Sequence, residues 1–207
     1  MEQNSRFNTM QQLKRSLFAL RNGVIADSLR KAGCPHKIVF GLNLPQLNEI
    51  AAQYGPSEEL AEALWADTAL RESALLAPML YPKEKLTLEK ARELCAKVMW
   101  HEDADILCFK LLRAAPFAPE LAKELVGCDV SRMARYTGLR LYLSMLAVMP
   151  PAKAKESPLC SEALSAATSE LERPDAISTL ASMLKEEASF LINPDGESRL
   201  FHLTLNK

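Results

Sequence analysis

The sequence has only 7 glycines in 207 residues, and it lacks the β-branched runs between turn residues that mark strands. A chain so poor in glycine and so rich in Ala, Leu, Glu and Lys is expected to be helical nearly throughout. No apolar run reaches the roughly 18 residues that cross a bilayer, so no membrane partner is expected. The opening residues MEQNSRFNTMQQLKRS lack an apolar signal core and a small-residue cleavage site, and the expectation is a water-soluble, cytoplasmic protein. Charge of one sign is also missing: the formal net is -1, so nucleic-acid binding would have to come from a local basic patch. Five cysteines (Cys34, Cys95, Cys108, Cys128, Cys160) form no C-x-x-C pair and sit near no histidine cluster, which favours free buried thiols over disulfides or a metal. The phosphate-loop, zinc-protease, esterase and dinucleotide motifs are absent, so no cofactor is expected.

What is present is helix punctuation. Breaks are expected at Gly23, Gly33 to Pro35, Gly41 to Pro45, Gly55-Pro56, Tyr81-Pro82, Ala115-Pro116, Gly127 to Asp129, Met149 to Ala152, Arg173-Pro174 and Asn193 to Gly196. Asn43, Ser57 and Thr87 each precede a segment with proline or acid in its first turn, where a side-chain oxygen caps free amides and the helix dipole favours negative charge. Leu60, Ala61, Leu64 and Trp65 form an apolar stripe, as do Leu75, Leu76, Met79 and Leu80 in the next segment. Roughly nine short amphipathic helices follow from this spacing, either as a bundle or as helical hairpins of about 40 residues. They are expected to form one domain over 1–207, with N-terminal helices over 1–39 and a tail from Arg199 to Lys207.

The run Phe40-Gly-Leu-Asn-Leu-Pro-Gln-Leu-Asn-Glu-Ile-Ala-Ala-Gln-Tyr-Gly55, then Leu60-Ala61, Leu64-Trp65 and Arg71-Glu72-Ser-Ala-Leu-Leu-Ala77, resembles the AlkD-type DNA alkylation repair proteins. The resemblance implies an all-α fold, an α-α superhelix of HEAT-like hairpins. Large aromatics on an apolar stripe are usually core, so Trp65 is expected to be buried. Arg71 and Glu72, being adjacent, should face different directions, so a mutual salt bridge is not expected, while one of them ties neighbouring hairpins together.

Members of that family excise cationic N-alkylated purines from DNA without a metal. They use tryptophans against the deoxyribose and an aspartate beside the developing positive charge. The matching segment here is Met99-Trp-His-Glu-Asp-Ala-Asp-Ile-Leu-Cys-Phe109, with Asp105 as the aspartate, Trp100 in place of the first tryptophan and His101 in place of the second. A carboxylate kept ionised beside a cationic sugar is worth most in a partly dry site. The same residues have a plainer reading: Asp103 and Asp105 as first-turn acids that cap amides, and Trp100 as packing between hairpins. The family's DNA-gripping arginine corresponds to Arg135 in Ser131-Arg-Met-Ala-Arg-Tyr-Thr-Gly-Leu-Arg140, where Arg132, Arg135 and Arg140 fall within an arc of about 140°. That arc is either a phosphate-binding face or a solvated one. The family's last tryptophan should fall near Thr179-Leu-Ala-Ser-Met-Leu-Lys-Glu186, where neither Thr179 nor Ser182 is aromatic.

Two functions compete. One is a protein of the alkylation repair type that binds duplex DNA through a concave basic face, with or without glycosylase activity. The other is a HEAT-like scaffold for a protein partner. DNA binding demands gathered cations, and Lys14, Arg15, Arg21, Arg30, Lys31 and Lys37 are available for it.

Overall fold

The computed structural model describes residues 2–127, 129–154 and 157–193, with side chains from residue 9 onward except that of residue 151. The expected tail at 199–207 and Cys128 lie outside the described residues. Among the described residues the elements are α1 (Glu2–Ala19), α2 (Gly23–Lys31), α3 (Leu44–Tyr54), α4 (Glu58–Ala66), α5 (Arg71–Leu80), α6 (Leu88–Ala96), α7 (His101–Lys110), α8 (Ala118–Leu125), α9 (Arg132–Leu146), α10 (Pro151–Ala154), α11 (Pro158–Leu171) and α12 (Ser178–Ile192). Short 3₁₀ turns at Lys83–Lys85 and Leu112–Ala114 complete the set. The helices exceed the roughly nine expected, because short elements such as α10 leave little periodic signal. The chain divides into two compact units, Met1–Leu111 and Leu112–Lys207.

In the first unit the three expected caps are in place. Asn43 accepts from the Gln46 amide while Gln46 returns to the Asn43 amide, Ser57 accepts from the Leu60 amide, and Thr87 accepts from the Lys90 amide. The apolar stripes turn inward: Leu64, Leu76, Leu80 and Leu107 are wholly buried, each worth about 1.5–3 kcal/mol in apolar surface removed from water. Trp65 is buried as expected.

One break carries no glycine or proline of its own: Asp67 to Leu70 separates α4 from α5. It is held open by a distant segment: Ile38 forms an isolated parallel bridge with Leu70, donating to the Ala69 carbonyl (2.8 Å) while its own carbonyl accepts from the Arg71 amide (3.0 Å). Backbone groups satisfied this way no longer need the helix.

The glycine of the 40–55 signature has a steric reason. Gly41 has φ +79°, and a Cβ there would meet the Asn22 carbonyl oxygen at 2.4 Å. In the second unit Gly138 plays a packing role, since a Cβ would meet Val126 and Leu125 of the α8 end at 2.8 and 2.9 Å. Helices pack there as consecutive pairs, α8 with α9 and α11 with α12, around Leu121, Leu139, Tyr142, Ala163 and Leu184.

Candidate nucleic-acid interface

The segment singled out at 99–109 is the lead-in and nearly the whole length of α7, and its first turn is anchored from beneath. Asp103 is buried and accepts hydrogen bonds from the backbone amides of Trp100 (3.1 Å) and Met99 (3.3 Å), so the capping role expected of these acids falls to Asp103. The other side of its carboxylate meets His36 Nε2 at 3.1 and 3.2 Å, and His36 Nδ1 meets the Thr68 carbonyl at 3.0 Å. Burial works against charging this imidazole, but the hydrogen bond and negative charge of Asp103 outweigh it and raise the His36 pKa above its ordinary value. His36 carries no local motif and lies 67 residues from Asp103, so sequence reading had no signal for it.

A second anchor comes from Arg71. Its Nε donates to Glu102 at 2.7 Å, tying α5 to α7 as expected of one member of the pair. Arg71 and Glu72 also form an ion pair at 2.7 Å, which overturns the expectation drawn from their adjacency. Both sit in the first turn of α5 and both reach for the 40–42 loop: Arg71 donates to the Leu42 carbonyl, and Glu72 accepts from the Phe40, Gly41 and Leu42 amides. A shared target brings together side chains whose Cβ directions diverge. Glu72 thus accounts for the Phe40-Gly-Leu signature, whose successive amides need an acceptor once the glycine turn buries them.

Above these anchors, His101 is exposed and Trp100 half-buried, with ring centroids 6.4 Å apart at 46°. Asp105 is half-buried one turn further along, on the same side of α7 as His101 by its four-residue spacing. Trp100, His101 and Asp105 are therefore gathered within one helix start.

The arginines expected to grip DNA belong to the second unit and differ among themselves. Arg132 is exposed, with Nε donating to the Asp175 carbonyl (3.3 Å). Arg135 is 5% exposed and engaged by two carboxylates, Glu170 at 2.9 Å and Asp175 at 2.7 Å. Its hydrogen bond to Asp175 raises its pKa, and the same bond holds the Asp175 carboxyl below its usual range. Arg140 is half-buried. The arc of three is thus not uniformly turned outward, because acids on and after α11 capture its middle member. Thr179 is exposed and Ser182 half-buried, both on α12.

Cys95, Cys108 and Cys160 are buried free thiols and Cys34 is a partly buried one. Burial pushes the Cys95 thiol up to about 12, far from nucleophilic use. No described helix is long and apolar enough to cross a membrane.

This architecture has a counterpart. A solved structure described as "a new family of proteins related to the HEAT-like repeat DNA glycosylases with affinity for branched DNA structures" matches with a TM-score of 0.76 at 16% identity, covering 89% of this chain and 77% of that one. The fold is accordingly the all-α, HEAT-like repeat fold of the glycosylase-related proteins. No curated protein matches the sequence. The family model for the DNA alkylation repair enzyme matches residues 13–136, more than half of the chain, and the protein belongs to that family.

Proposed function

We propose that the protein binds duplex DNA through the start of α7, with Trp100 and His101 against the sugar-phosphate backbone and Asp105 beside them, and that it recognises DNA rather than excising bases from it. The observation that carries this reading is the anchored turn. Two rings stand at the surface on a support made of Asp103, His36, Arg71 and Glu102, so their placement costs little ordering on binding. Family membership supplies the ligand class. Recognition is favoured over excision because the positions resembling the family's other tryptophans hold His101 and the non-aromatic Thr179 and Ser182. In the second unit, exposed Arg132 is assigned a phosphate contact, and Arg135 is assigned the positioning of Glu170 and Asp175. Arg140, half-buried on the same helix, is assigned a second phosphate contact.

Fluorescence anisotropy with a duplex of about 20 base pairs and a four-way junction tests this, over a salt series. Binding that weakens with salt, and by about tenfold in Trp100→Ala/His101→Ala, is expected from the loss of two ring contacts. Absence of duplex binding at low salt would leave a scaffold for a protein partner. Release of N-alkylated purine by the intact protein, lost in Asp105→Asn, would instead make it a glycosylase.

A further inference from the structure

Away from α7, the first unit has a second feature that the reading above does not use. Residues 14–40 hold six lysines and arginines against one acid, in a chain whose net charge is -1. Lys14 pairs with Asp67 and Arg30 with Asp27, whereas Arg15, Arg21, Lys31 and Lys37 have no carboxylate partner among the described residues. Within this basic segment lies an open groove of about 580 Å³ whose lining includes Arg21, Gly23, Arg30, Ile38 and Phe40. At its edge Phe18 is 51% exposed, packs edge-to-face on Phe40 (5.6 Å, 78°) and carries the Arg21 guanidinium 4.0 Å above its ring centroid.

The groove is preorganised. Its Ile38–Phe40 side is fixed by the bridge to Leu70, by the Glu72 carboxylate on the Phe40 amide, and by the Phe40 carbonyl accepting from the Asn22 amide at 2.7 Å. Its opposite side is the start of α2, where Asn22 caps the Val24 and Ile25 amides. A rigid recess with apolar and aromatic walls and guanidinium groups on its rim suits flat bases carried on a phosphate chain.

We propose that this groove is a binding site for single-stranded DNA. An unpaired base stacks on the Arg21–Phe18 platform, and Arg30, Lys31 and Lys37 hold the adjoining phosphates. Duplex DNA keeps its bases stacked inside and offers them to no such platform, so the site selects unpaired strands. An anionic bilayer also attracts cations and exposed apolar side chains such as Val24, but the Phe18 ring here is packed on Phe40 and covered by the Arg21 guanidinium, a charged platform that suits a base better than an acyl chain. The site is separate from α7, and its ligand class rests on the DNA reading above.

The test uses the full chain with a fluorescein-labelled oligothymidine of about 20 nucleotides, the duplex of equal length, and vesicles containing phosphatidylglycerol. The oligothymidine is expected to bind, and Phe18→Ala and Arg21→Gln each to weaken it by about tenfold while duplex affinity changes by less than about twofold. Melting by circular dichroism verifies folding. Arg21 is exposed, so Arg21→Gln carries the test if Phe18→Ala unfolds. Equal losses on both nucleic acids would reduce the groove to a plain electrostatic patch and overturn the proposal. So would no oligothymidine binding, or binding to vesicles alone. Duplex binding that fails while oligothymidine binding persists counts against the α7 reading and supports this one.

Discussion

The two units each bury one arginine between two carboxylates, and the two clusters are built to different degrees of closure. Arg71 meets Glu72, which is wholly buried, and Glu102, which is 32% exposed at its side chain; Glu72 in turn receives three backbone amides of the 40–42 loop. Arg135 meets buried Glu170, which receives the Ile177 amide, but its second partner Asp175 is 57% exposed. Both clusters clamp a loop to a helix around a buried principal acid, and they differ at the second acid, half-buried in the first and exposed in the second, so the first is the more fully sealed from water. Charge buried in low dielectric is held by its partners or not at all, so the sealed cluster should respond more strongly to losing its arginine.

Arg71→Met tests this most severely. It leaves Glu72 buried without its cation, and urea unfolding is expected to show a loss of about 3–5 kcal/mol. Arg135→Met should cost less, about 2–3 kcal/mol, because Asp175 turns to water and Glu170 keeps Arg173 Nε at 3.5 Å. An Arg135 loss equal to that of Arg71 would remove the distinction between the clusters.

The third prediction concerns pH, since His36 and Asp103 form a further buried charged contact in the first unit. The folded His36 pKa lies above the ordinary 6.5, so the stabilisation from this pair is complete below that value and is lost as pH rises through the folded value. The melting temperature should fall from pH 6 towards pH 9, and His36→Gln should flatten this part of the profile. A wild-type profile that rises over that window would contradict the pairing. The smallest effect is expected of Asp175→Asn, below about 1 kcal/mol for an acid this exposed, measured against the Arg135→Met value.

Much of the helical framework was legible. Asn43, Ser57 and Thr87 announced three helix starts, because a cap and the amides it serves lie within three residues of each other. The break at 67–70 has no glycine or proline to mark it, because its cause is Ile38, about 30 residues upstream. The candidate site divides in the same way. Trp100, His101 and Asp105 lie within six residues of one another and are grouped by the family resemblance of that segment, while His36, which supports its first turn, could not be found that way. The burial of Arg135 was also out of reach, since its helix face looks basic until Glu170 and Asp175 are brought against it from 35 and 40 residues away.

By itself the sequence determined that the protein is helical, where most helices begin and end, which stripes are apolar, and which family it joins. These are matters of local propensity, capping and short-range spacing, all readable within a turn or two. Only the tertiary structure decided what the charged residues do. It set Arg71 against Glu72, put Asp103 beneath Trp100, withdrew Arg135 into a carboxylate pair and left Arg21 on the rim of a groove. Ionic partners are chosen by through-space distance and by exclusion from water, and neither is written in the order of the residues.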